Sequence, residues 1–187
     1  MAGKTAVKTC AVDGKTTVDA SVASGCNGGT TYMCASQQPM VVNSSLAYGF
    51  VAGNVNGHAM PDFCCACYEL TFNDPKLANK KMIVQVTNTG SDLEKNHFDI
   101  QIPGGGVGIF NGCSTQYGTN ADGWGARYGG ISNESQCRNL PAELQAGCHF
   151  RFKWFANADN PSMSFKRVRC PAKIVAASGC QRADDPK

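Results

Sequence analysis

Asp99 stands in an alternating run, His97-Phe-Asp-Ile-Gln-Ile, a few residues before Gly104, Gly105, Gly106 and Gly108. Residues two apart in a strand project to the same side. His97 and Asp99 are therefore expected to stand together, with Phe98, Ile100 and Ile102 facing the other way. A carboxyl beside an apolar neighbour and a glycine-rich, water-poor loop has its pKa raised, which suits a general acid at a glycosidic bond. The pattern fits a solvated acid on the polar face of a strand equally well. Asp92, in the loop TGSDLEKN, either serves the turn or closes over a substrate and keeps Asp99 protonated by like-charge repulsion. His97 has two partners in reach, substrate and Asp99.

Other chemistries fit less well. The run PGGGVG lacks the Lys-Ser/Thr ending of a phosphate cradle, and its expected use is close backbone approach, to substrate or to a crossing strand. No G-x-S-x-G is present. Cys64-x-x-Cys67 has no second C-x-x-C with which to build a zinc site, so no metal and no cofactor is expected. The 11 cysteines instead indicate disulfides and an oxidising compartment. Tyr117, Trp124, Tyr128 and Trp154 are the aromatics that suit stacking on sugar rings. Trp154 reads as core, while Trp124 and Tyr128, in a glycine-rich loop, read as surface.

The elements that must hold these residues are short strands. CYELTF (67–72), KMIVQVTNT (81–89), HFDIQI (97–102), HFRFKWF (149–155) and SFKRVRC (164–170) have strand character. The first two are joined by a turn at Asn73, Asp74 and Pro75. VNSSLAYGFVAGN reads as a short helix capped by Asn43 or Ser44, with Leu46 and Phe50 on one face. SNESQC and PAELQAGC read as helical turns. The 187 residues, 17% of them charged, make one domain over residues 1–187 with a sizeable core. A net charge of +3 gives no argument for nucleic acid, and no apolar run approaches the ~18 residues of a membrane span. MAGKTAVKTC has no apolar leader region, so this chain reads as a mature or shortened form without its signal peptide. Sequons at Asn43 and Asn133 are compatible with secretion.

Five blocks in order resemble glycoside hydrolase family 45: CCACYELTF, NHFDIQIPGGGVGIFNGC, RYGGIS, FKWFANADNPSMSFKRVRCPAKIV and SGCQRADD. The resemblance runs from about Lys8 to the C-terminus. It implies a mainly β fold, a six-stranded double-psi β-barrel with short helices and long disulfide-bridged loops. It also implies a secreted, inverting endo-β-1,4-glucanase acting as a monomer on cellulose or related β-glucans. By resemblance, Asp99 is the general acid and Asp92 the assisting loop aspartate. His97, Tyr128, Gly129, Asp159 and Asn160 bind substrate, and the disulfides are Cys10–Cys34, Cys65–Cys180, Cys67–Cys170 and Cys137–Cys148.

The match has one gap. The family's commonest base is an aspartate in a Tyr-Trp-Asp-Cys-Cys-type motif ahead of the region matching Lys8 and Cys10, and no aspartate here precedes Asp13. The expected partners of Cys26, Cys64 and Cys113 belong to that same front segment, so a missing N-terminal strand is expected. Asn88 and Asp92 are left as candidates to serve the attacking water. The alternatives are a non-hydrolytic, expansin-like wall-loosening protein and a barwin-like carbohydrate-binding barrel.

Overall fold

The computed structural model describes residues 6–186. Met1–Thr5, with part of the segment that lacks an apolar leader region, and Lys187 lie outside them. Two sheets are built. Strands β1 (Thr9–Cys10), β2 (Thr17–Val18) and β3 (Tyr32–Met33) form a small antiparallel one. The larger one contains β4 (Met40–Val41), β5 (Leu46–Asn54), β6 (Cys67–Phe72), β7 (Lys81–Asn88), β8 (His97–Ile100) and β9 (Met163–Val168). Its order is β4-β5-β7-β6-β9, and β8 also pairs with β5.

Strand β5 is the hinge of this arrangement. One edge runs parallel to β7 from Leu46 to Ala52. The other is shared, β4 taking Ala47 and Tyr48, and β8 taking Val51 to Asn54. The helix expected over this stretch is thereby overturned. Gly49 and Gly53 weaken a helix, and each meets a β7 neighbour: a Cβ at Gly49 would come 2.3 Å from Met82, and one at Gly53 3.1 Å from Val86. Asn43 turns the chain into the strand instead of capping a helix, its Oδ1 accepting from the N–H groups of Ser45 and Leu46 at 2.9 and 2.8 Å.

The strand expected over 149–155 is also corrected. Residues Ala142–Lys153 form α3, the third of four α-helices among the described residues, after α1 (Met60–Phe63) and α2 (Cys113–Tyr117) and before α4 (Ala172–Ser178). Alternating aromatics over so short a span also satisfy the i, i+4 spacing of a helix. Phe150 and Trp154 use it, stacking at 5.3 Å. His149 and Lys153 use it too, both reaching Glu134, at 2.8 and 3.2 Å. Trp154 is buried as expected, its indole N–H donating to the Asn43 carbonyl at 2.9 Å.

The main core lies between the sheet and α3. Val51, Tyr68, Leu70, Val84, Val86, Phe98 and Phe150 contribute to it. Phe98 on β8 meets Tyr68 on β6 at 5.4 Å and Phe165 on β9 at 5.0 Å. Rings, rather than a backbone ladder, thus bring β8 toward the far side of the sheet. Disulfides join Cys10 to Cys34, Cys65 to Cys180, Cys67 to Cys170 and Cys137 to Cys148. The second and third close loops of 115 and 103 residues, each removing about 4 to 5 kcal/mol of unfolded-state entropy in the chain-entropy account. Cys26, Cys64 and Cys113 stand outside these bridges. Burial, and to a lesser degree the nearby Cys26, push the Cys113 thiol up.

The turn from β1 to β2 is held by Asp13, whose Oδ1 accepts the N–H groups of Lys15 and Thr16, both at 2.8 Å. The Thr16 hydroxyl first, then these two N–H groups, bring the Asp13 pKa down from 3.8 to about 2. A carboxyl lowered in the folded state stabilises above its unfolded pKa and loses that contribution as pH falls through the folded value. The thermal midpoint of Asp13→Asn is therefore expected to lie below that of the parent at about pH 5, with the gap closing toward about pH 2.

Candidate active site

Alternation along β8 sends Phe98 inward and His97 and Asp99 outward, as the pattern predicts. His97 Nε2 lies 2.8 Å from Asp99 Oδ1. The N–H of Glu94 donates to His97 Nδ1 at 3.3 Å. A ring nitrogen that accepts carries no proton, so the neutral imidazole holds its hydrogen on Nε2 and donates it to Asp99. The loop before β8 thus fixes the tautomer, and the tautomer fixes one carboxylate oxygen. The enclosed setting expected for Asp99 is not what forms, since its side chain is 58% exposed. Phe98 turns away from the carboxyl into the core, and the glycine run packs elsewhere. Asp92 is exposed on the loop between β7 and β8 and lines the same cleft. Asp99 pairs with His97, not with Asp92.

The register of β5 sets what stands opposite. Ala52 pairs with Asp99 on one side and with Asn88 on the other. Val51 pairs with Val86, so Thr87 is the extra residue of a bulge. A bulge re-aims the residue that follows it. Val51 and Val86 are buried, whereas Asn88 and Asp99 are exposed. The two polar side chains thus share a face, two strand spacings or about 10 Å apart at Cα.

The glycine run makes the cleft wall by close approach to a crossing segment. A Cβ on Gly106 would lie 2.5 Å from both Arg127 O and Gly129 N, and one on Gly130 only 2.0 Å from Gly104 O. Gly130 also has φ +72°. Of the two open alternatives, substrate or crossing chain, the crossing chain takes these contacts. It presents Tyr128, 72% exposed, to the cleft. Trp124 is half-buried and lines the cleft, less exposed than Tyr128. It packs on Tyr117, rings 5.2 Å apart, against a second apolar cluster, and burial pushes the Tyr117 hydroxyl up to about 12. Asp159 and Asn160 are exposed and line the same cleft, with Asn160 Nδ2 donating to Asp159 Oδ1 at 3.2 Å.

Together these walls form one open groove of about 1530 Å³, lined by Asp92, His97, Asp99, Tyr128, Gly129, Asp159 and Asn160 among others. Of the residues the sequence offered for acid chemistry or substrate contact, all but Trp154, which is in the core, line it. The bulge behind Asn88 and the reach of Arg151 to the Gly129 carbonyl gave no signal in the sequence. Among the described residues no group of three His, Cys, Asp or Glu side chains could hold a metal. No helix among them is long and apolar enough to cross a membrane.

An open groove on a mainly β scaffold, with carboxylates, amides and a bare aromatic ring along it, defines a protein built for an extended carbohydrate chain. The comparisons with known proteins agree with that class. The sequence matches glycosyl hydrolase family 45 over residues 1–181, and the chain belongs to that family. It is 55% identical to an endoglucanase of Cryptopygus antarcticus over 180 residues, covering 96% of this chain and 80% of the relative. It is 51% identical to an endoglucanase of Phaedon cochleariae, covering 94% and 73%. It is 42% identical to Endoglucanase 1 of Mycosarcoma maydis, covering 96% of this chain but only 48% of that relative. The crystal structure of the cellulase from the Antarctic springtail Cryptopygus antarcticus superposes with a TM-score of 0.91 at 54% identity, over 97% of this chain and 89% of that one. The fold is a double-psi β-barrel, and the expansin-like alternative is not favoured.

Gly130 is the contact on which the cleft wall rests. Gly130→Ala is expected to cost about 2 kcal/mol or more, from the positive φ together with the displaced Gly104 carbonyl. A lowered thermal midpoint with reduced sugar release would report both effects.

Proposed function

We propose that this chain is a secreted, monomeric endo-β-1,4-glucanase that hydrolyses internal bonds of cellulose and related β-glucans with inversion, and that Asp99 is its general acid. The observation that carries the assignment is the His97–Asp99 contact at 2.8 Å on the cleft face of β8. His97 Nε2–H occupies Oδ1, which leaves Oδ2 to carry the acid proton. As the glycosidic C–O bond breaks, that proton passes to the leaving oxygen and Asp99 becomes a carboxylate. The bond from Nε2–H strengthens as that charge develops, which favours the transition state over the ground state. The exposed position of Asp99 suits a polymer that itself displaces water from the groove on binding.

Inversion needs a water on the opposite face of the sugar, with the two functional groups ~6.5–9.5 Å apart. Asn88, across Ala52 from Asp99, has the spacing to orient that water, and the carboxylate of Asp92 accepts its proton. Tyr128 offers a ring face to a glucose unit, while Gly129, Asp159 and Asn160 offer hydrogen-bonding groups along the groove. A polymer too large to enter a cell, and four disulfides, support action outside it.

Asp99→Asn is expected to lower reducing-sugar release from soluble cellulose and β-glucan by about 10²- to 10⁴-fold, with the thermal midpoint nearly unchanged. Equal activity of variant and parent would remove Asp99 from the acid role. Asn88→Ala is expected to lower kcat by about tenfold or more while KM stays close to the parent's. Weakening of filter paper without sugar release would instead favour an expansin-like action.

A further inference from the structure

Arg151 lies on α3, in the segment whose alternation suggests a strand, where it would be one of several basic residues pointing to solvent. In the helix it is half-buried and reaches the cleft. Its Nη1 donates to the Gly129 carbonyl at 2.6 Å and its Nε to Asn157 Oδ1 at 2.9 Å. Its own carbonyl accepts the Asn157 N–H at 2.8 Å, and its guanidinium lies 5.2 Å from the Phe152 ring centre.

One partner, Asn157, belongs to a segment with costly backbone geometry, and the other, Gly129, to a glycine turn whose conformation its own residue does not restrict. Ala156 and Asn157 have φ of +51° and +47°, a left-handed pair without glycine, which persists only where the surroundings hold it. Gly129, at φ +113°, has the freedom of a glycine and needs an outside contact to fix its place. One of these segments carries Tyr128, and the other leads directly to Asp159 and Asn160. Arg182 and Arg167 hold Asp184 near the C-terminus, and Arg127, which also lines the cleft, turns its guanidinium to Asp122 on its own loop instead of bridging the two walls.

We propose that Arg151 is a positioning residue that sets the distance between the Tyr128–Gly129 wall and the Asp159–Asn160 wall of the cleft, and so determines affinity for the glucan chain. The inference rests on the reading of this cleft as the glucan site. A planar guanidinium serves two acceptors at a fixed angle, which a lysine ammonium cannot reproduce. With both walls ordered in advance, the polymer does not bear the cost of ordering them on binding. Asp99 and His97 sit on β8, apart from this clamp, so the effect falls on binding rather than on the chemical step.

The test is a double-mutant cycle between Arg151→Ala and Tyr128→Ala on a soluble β-glucan. Arg151→Ala is expected to raise KM about threefold to tenfold with kcat within about twofold, and Arg151→Lys is expected not to restore it. In the Tyr128→Ala background the KM effect of Arg151→Ala should largely disappear, as for residues acting through one another. The same KM factor in both backgrounds, or a fall in kcat at constant KM, overturns the proposal. Arg151→Gln keeps the packed stem and takes the place of Arg151→Ala if that variant does not fold. If the parent releases no sugar, the hydrolase reading fails separately. Retardation of the same four proteins in a β-glucan gel then decides this inference: coupled losses support it and independent losses overturn it.

Discussion

The pairing of β5 along both edges is the constraint on which the rest of the site depends. Val51 faces the core with Val86 and Ile100 as its register partners, and Ala52 faces out with Asn88 and Asp99. Sliding β8 by one residue would turn Phe98 to solvent and Asp99 into the core. The rings of Tyr68 and Phe165 against Phe98 oppose that slip with buried aromatic area. Chemistry on the outer face is thus secured by hydrophobic packing on the inner one.

A second level of order comes from backbone meeting backbone. Gly106 lies against the backbone of Arg127 and Gly129, and Gly130 against that of Gly104, at distances no side chain tolerates. This contact, not flexibility, is what the glycines provide. It delivers Tyr128 to the groove, just as the Glu94 N–H delivers the correct His97 nitrogen to Asp99. In both places a loop residue with no chemistry of its own decides how a functional side chain is presented. The two long-range disulfides, starting from either side of Ala66, fasten β6 to the segment that follows β9.

The two misread segments show where local pattern ran out. Residues 46–54 carry Leu46 and Phe50 at helical spacing, yet small residues at Gly49 and Gly53 admit Met82 and Val86 from β7. That opportunity exists only once β7 is in place. Residues 149–155 alternate like a strand, but Phe150 and Trp154 stack along a helix continuous with the good helix formers of 142–146. An aromatic at every second position fits both periods over so short a span. Arg151 therefore lies with the cleft and not on the solvent face that a strand would give it.

The sequence by itself determined the strands of β6, β7, β8 and β9, the shared face of His97 and Asp99, the buried place of Trp154, and the family. Each is a matter of local alternation or of ordered motifs, which need no knowledge of distant residues. Tertiary structure decided the strand at β5, the bulge that aims Asn88, the openness of Asp99, and the meeting of Gly129, Arg151 and Asn157. These depend on contacts between segments far apart in the chain, such as Arg151 with Gly129 and Ala52 with both Asn88 and Asp99. Register and crossing contacts are properties of pairs of segments, and a single stretch of residues carries no record of the partner it will meet.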